Sequence, residues 1–230
     1  MSTIFASASY SGAALTMLAF FIGYAVKVKY KSQVFNPILI AIVLIISFLA
    51  VTGVDYDTYN SGAKYISWFL TPATVSLAIP LYRQIEQLKN NISAILIGIF
   101  SGVVASAVGI LVLAVVFSLS HAEYVTLLPK SITSAIGMGV ADELGGFSTI
   151  TVPVIIITGI FGNITASAVL KFFKITNPIA KGLAIGTASH GTGTSRAIEI
   201  GEVEGAMSGL SIAVAGLITV VVAQVFALIR

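Results

Sequence analysis

The chain has 230 residues, of which 57% are hydrophobic and 9% charged, with a formal net charge of +3 and a mean hydropathy of +1.03. Soluble domains carry roughly 25% charged residues, so this composition excludes a soluble fold, and the small basic excess excludes a nucleic-acid footprint. There is no cysteine, which excludes disulfides and thiolate metal sites.

Eight apolar segments are predicted in chain order, at roughly 11–26, 36–54, 62–82, 92–119, 124–141, 148–170, 178–200 and 203–229. The opening residues MSTIFASASYSG hold no basic cluster, and Lys27, Lys29 and Lys31 follow the first segment. That order is the reverse of a signal peptide and places the N-terminus outside. Pro37, Pro72, Pro129 and Pro178 stand near segment starts or inside them, where proline can open a helix without losing an internal bond. From Asn90 to Ala122 there is no Asp, Glu, Lys or Arg, more than the ~20 residues a spanning helix needs.

The fifth segment is different. PKSITSAIGMGVADELGG, 129–146, has a polar start and glycines at 137, 139, 145 and 146. A lipid-facing helix would not tolerate it. If 124–144 dips in from outside and returns, then Lys27, Lys29, Lys31, Arg83, Lys89, Lys171, Lys174, Lys181 and Arg230 all fall inside, which satisfies the positive-inside rule. Residues 178–200 are read as a span. Residues 1–230 thus read as a single integral membrane domain, an all-α polytopic helix bundle with broken or re-entrant helices, multi-pass in the bacterial cytoplasmic membrane.

Two internal similarities suggest a repeat. GIFSGVVASAV (98–108) and GIFGNITASAV (159–169) share seven identities in eleven, and P-x5-A-I-[PG] occurs at 72–80, 129–137 and 178–186. Secondary transporters are often built from repeats whose broken helices meet near the bilayer midplane.

Two polar breaks carry the chemistry. Lys130 stands beside Ser131, Thr133 and Ser134; Arg196 closes the run Ser189, His190, Thr192, Thr194, Ser195. Hydroxyls and free N–H groups at a half-helix start favour an anion, and a cation supplies the opposite charge. These ten residues form the candidate binding site for a small anion. Each cation also has an ordinary reading: Lys130 snorkelling to the interface, and Arg196 paired with Glu199 one helical turn on. Asp142 and Glu143 are candidates for a coupling proton or sodium ion, against a plain solvated loop. Asn163 either lines a path or bonds across helices. His190 near two serines resembles a nucleophile–base pair only superficially, since G-x-S-x-G and H-E-x-x-H are absent; no enzyme activity, metal or cofactor is expected. Gly98, Gly102, Gly205 and Gly209 have the spacing of close helix packing.

Five blocks, NPILIA (36–41), TGVDYDTYNSGAKY (52–65), FLTPATVSLAIPLY (69–82), LLPKSITSAIGMGVADELGG (127–146) and NPIAKGLAIGTASHGTGTSRAIEIGEVEGA (177–206), resemble the LrgB/CidB family in order and spacing. The resemblance covers essentially the whole chain. It implies a holin/antiholin-like regulator of murein hydrolase activity and cell lysis, working beside a small LrgA/CidA-type membrane protein. It equally implies transport, because related proteins move pyruvate, glycolate or glycerate. The expectation drawn from residues and resemblance together is a secondary transporter of a small monocarboxylate, forming homo-oligomers, with lysis regulation as the alternative.

Overall fold

A computed structural model describes residues 10–32, 35–76 and 78–230, with no strand among them. The first nine residues, Gln33, Val34 and Leu77 lie outside the described residues, and with them the outer part of the N-terminal reading and one position of the repeat at 72–80. The chain divides into two compact units, Met1–Ser76 and Leu77–Arg230. The fold is the expected all-α membrane bundle. Four helices, Ser11–Tyr30, Ile92–Val116, Ser148–Phe172 and Glu202–Ala227, are long and apolar enough to cross a bilayer, and Pro37–Thr52 is a shorter apolar helix.

In the first unit, α1 (Ser11–Tyr30) turns back into α2 (Pro37–Thr52). The Asn36 side chain accepts from the Ile38 and Leu39 amides, with Pro37 at the first helical position, so the Asn-Pro pair caps the start and sets its φ. Gly53, at φ +66°, ends α2, a conformation that glycine adopts without steric cost. A Cβ on Gly23 would collide with Pro37, and one on Gly12 with the backbone of Tyr59 and Ala63, so α1 packs closely on α2 and on α3 (Tyr56–Ser67). Thr16 and Tyr59 share a 2.7 Å hydrogen bond across the second contact. The segment predicted at 62–82 is not one helix. It starts earlier, where Asp55 caps α3, and is interrupted after Ser67; α4 (Leu70–Ser76) and α5 (Ala78–Arg83) follow, with Leu77 between them outside the described residues.

The second unit continues with α6 (Ile85–Asn90) and α7 (Ile92–Val116), then α8 (His121–Leu127) and α9 (Ser134–Glu143). Residues 128–133 separate the last two. The Phe147 amide donates to Thr126 Oγ1 at 2.8 Å, and Thr151 Oγ1 to the Thr126 carbonyl at 3.0 Å. The chain therefore leaves one face at 121, turns near 130–133 and is back beside Thr126 by 147. This is the expected re-entrant segment.

After α10 (Ser148–Phe172) comes α11 (Pro178–Ile200), again begun by an Asn-Pro cap. It is two helical limbs, because His190 has φ 42° and ψ −138°. The limbs fold back on each other. A Cβ on Gly193 would touch Ile185, and Ile185 and Ala197 share a buried cluster with Ala166 and Leu170 of α10. Against α12 (Glu202–Ala227) the first limb runs parallel, Gly182 meeting Glu204 and Met207 and Gly186 meeting Ser208. The second limb runs back, with Thr194 bonded to Ser208 and Gly205 against Ile198. Segment 178–200 is thus a second re-entrant hairpin and not a span.

The repeat is real in form. Residues 92–147 and 148–201 each make one long helix followed by a hairpin that returns to the face it entered from, and the two copies point in opposite directions. The matched sequences at 98–108 and 159–169 lie in the two equivalent helices, α7 and α10. The P-x5-A-I-G match does not mark equivalent places: Pro129 lies at a hairpin turn, Pro178 at a hairpin start.

One consequence corrects the expected topology. With 178–200 folded back, one crossing disappears, and Arg230 lies at the face opposite Lys171, Lys174 and Lys181. Its guanidinium bonds the Leu119 carbonyl beyond the end of α7, at 2.7 and 3.2 Å. Arg83, Lys89, Lys171, Lys174 and Lys181 share the other face, which the positive-inside rule turns to the cytoplasm. Single cysteines at 174 and 228 are therefore expected to react with an impermeant maleimide from opposite sides of the membrane. Labelling of both from one side would refute this arrangement.

Candidate functional site

The two hairpin turns reach mid-depth. Gly159 lies about 17 Å along α10, itself roughly 37 Å long at 1.5 Å per residue, and a Cβ there would meet the His190 ring. Ser106 lies about 21 Å along α7 by the same measure, and its Oγ is 3.3 Å from Ser131 Oγ. Irregular backbone at this depth is tolerated only where protein buries it or a cavity hydrates it. The α11 turn takes the first solution and the 128–133 turn the second.

At the α11 turn the side chains of His190, Thr194, Ser195 and Arg196 all have partners within the protein. His190 Nε2 lies 3.1 Å from the Ile155 carbonyl. Ser189 is buried against Gly162, where a Cβ would overlap its side chain. Thr194 Oγ1 donates to the His190 carbonyl at 2.9 Å and contacts Ser208 Oγ at 2.8 Å. Asn163 Nδ2 donates to the Thr192 carbonyl at 2.7 Å and to Ser195 Oγ at 3.1 Å. Asn163 is therefore an interhelical bond and not a path liner. Ser195 itself is exposed and donates back to Thr192. Arg196 donates to Ser167 Oγ through Nε and Nη2 at 3.2 and 2.7 Å, and its Nη1 meets Glu199 Oε2 at 2.7 Å. The guanidinium fork is committed to α10 and to its own helix.

The 128–133 turn opens on a groove of about 960 Å³. It runs from Asn91 and Asn177 at the basic face to Ser106, Lys130, Ser131 and Thr187 at mid-depth. Its walls are small: Gly98 and Gly102 on α7, Ala180, Ala184 and Ala188 on the first limb of α11. Lys130 Nζ donates to Ser131 Oγ at 2.9 Å. Beyond the Ser106–Ser131 contact a second cavity, lined by both serines and by Thr219, holds only about 10 Å³, room for a single water at most. The groove is open to one face and closed toward the other.

The ten predicted residues are thus not one cluster. Lys130 and Ser131 line the groove. Thr133 and Ser134 are half-buried at the start of α9, away from its lining. Ser189, His190, Thr192, Thr194, Ser195 and Arg196 belong to the packed hairpin. Asp142 and Glu143 are exposed, and Glu143 accepts only a long 3.3 Å bond from Gln224. Among the described residues the buried carboxylate is Glu204, 3.6 Å from Lys181 at the basic face. No group of three or more His, Asp or Glu able to hold a metal exists among the described residues. Sequence reasoning missed Thr187, Ser106 and Ser101. The available signal for the two serines was the Gly98–Gly102 spacing, which marks the α7 wall they share; Thr187 stands on the facing limb and had no such signal.

Residues 16–229 match the model of the LrgB-like family, and the chain belongs to that family. Relatives called antiholin-like protein LrgB in Bacillus mycoides (strain KBAB4), Bacillus cereus (strain B4264) and Bacillus anthracis (strain CDC 684 / NRRL 3495) are each 38% identical over 218 residues, covering 94% of this chain and 95% of the relative. No solved structure matches the chain.

Proposed function

We propose that this protein is an antiholin-like regulator of murein hydrolase activity and cell lysis. The observation that carries the reading is the identity of 38% over 94% of the chain with proteins named antiholin-like. In this reading it acts beside a small LrgA-type membrane protein, and it has no enzyme activity of its own. Expression together with such a partner, in a host stripped of its own family members, should delay autolysis and weaken murein hydrolase bands on a zymogram. Lysis and bands unchanged from the empty host would reject the reading.

A second reading is favoured by the inverted pair of hairpins. Two re-entrant turns reaching mid-depth from opposite faces, with a half-buried lysine beside a groove open to one face, are the arrangement by which secondary transporters hold a solute. In this reading the protein moves a small monocarboxylate of the pyruvate, glycolate or glycerate type. A holin-like assembly needs helices that associate and has no use for a lysine on a mid-depth groove. Saturable uptake of labelled pyruvate or glycolate into proteoliposomes supports it, and flux equal to empty vesicles rejects it.

A further inference from the structure

We propose that the groove between α7 and the first limb of α11 binds one singly charged oxyanion, held by Lys130 Nζ with the hydroxyls of Ser131 and Thr187, and that Arg196 takes no part. The proposal rests on the transport reading and gives it a site.

The first observation is an uncompensated charge. Lys130 is half-buried at mid-depth and has no carboxylate within 4 Å among the described residues. No residue lining the groove is acidic. Water in the groove can hydrate this ammonium, Ser131 supplies one protein acceptor, and an anion entering the groove would meet a cation with no acidic competitor.

The second observation is independent. Thr187 is 7% exposed and lines the groove, and its Oγ1 is the buried side-chain polar atom left without a partner among the described residues. A helical threonine in apolar surroundings ordinarily satisfies its hydroxyl on the carbonyl four residues back. Thr52, Thr126, Thr165 and Thr194 all do so. Thr187 does not. A Cβ on Gly102 would come within 2.8 Å of Thr187 Cγ2, so the glycine on the facing helix makes the room that Thr187 occupies. A buried hydroxyl without a partner leaves a hydrogen bond to be made, and a ligand seated against Thr187 would make it.

Charge and shape set the ligand class. One cation and no acid balance one negative charge; a dianion would bring an uncompensated charge into the groove. Leu183, Ala184 and Ala188 face the rest of the ligand, which suits a short alkyl or carbonyl portion. The Arg196 fork is already filled by Glu199 and Ser167.

The test is binding and uptake of [14C]pyruvate by purified protein, in detergent and in proteoliposomes, with each variant checked for a monodisperse elution profile. Lys130→Gln should weaken binding by about tenfold or more, the worth of a charged hydrogen bond. Thr187→Val, which keeps the shape and removes the hydroxyl, should weaken it about fivefold, and Thr187→Ser should restore most of that loss. Arg196→Gln should stay within about twofold of wild type. Succinate should compete poorly with pyruvate. If wild type binds and transports pyruvate while Thr187→Val and Lys130→Gln are unchanged, the site is wrong and the transport reading survives. Arg196→Gln losing as much as Lys130→Gln, or succinate competing equally, also overturns the site. A wild-type protein that neither binds nor moves pyruvate, glycolate or glycerate overturns both.

Discussion

Gly186→Leu is expected to abolish folding of the second unit. The first limb of α11 lies so close to α12 that even a Cβ at 186 would run into the backbone and hydroxyl of Ser208. A flexible neighbour could swing aside; backbone cannot. Overpacking costs typically about 1–3 kcal/mol and more where nothing can yield, against a total stability of roughly 5–15 kcal/mol. Separation of the limb would also break the Thr194–Ser208 bond and loosen Lys181 from Glu204. Thermal unfolding followed by size-exclusion elution in detergent is the measurement. Gly109→Leu is the control, since a Cβ there meets nothing within 4 Å. Comparable elution and melting for the two variants would show that the limb does not sit where it is placed.

The second large effect is at His190. Its φ of 42° with ψ of −138° is a conformation that side chains with a Cβ rarely adopt, and such strain costs about 1–3 kcal/mol. The ring offsets part of it through the bond to Ile155, worth about 1 kcal/mol. His190→Gly removes the strain, the bond and the buried ring together, so the relief of strain offsets part of the loss and the net cost should be small. His190→Val keeps the strain, adds a branched Cβ and loses the bond, so it should destabilise by about 3 kcal/mol or more. Melting temperatures of the two variants separate the cases. A glycine variant as damaged as the valine variant would mean that the ring, and not the backbone, holds the turn.

The membrane class, the long helices and the re-entrant segment at 124–144 were legible because they rest on composition and charge, which any single window of sequence reveals. The fold-back of 178–200 was not. Both limbs are helical, and the polar run 189–196 marks a break without giving its angle; only the packing of Gly182, Gly186 and Thr194 on α12 fixes that. Lys130 and Ser131 were legible as groove residues because a lysine among hydroxyls is conspicuous in an apolar chain. Thr187 was not, since one threonine in GLAIGTASHG differs from its neighbours only in lacking a partner. Arg196 carried two readings, a fork for a bound carboxylate and a partner for Glu199, and the fork meets Glu199.

The long helix α12 touches both hairpins, Ser208 beside the α11 limbs and Gly216 beside Ile136 of α9. A chain synthesised from its N-terminus delivers both hairpins to the membrane before α12 has emerged. Until then each hairpin lacks one of the helices it packs on. The last long helix is thus the common wall of two hairpins that the chain has already made, and a chain cut before 202 would leave each of them open on that side.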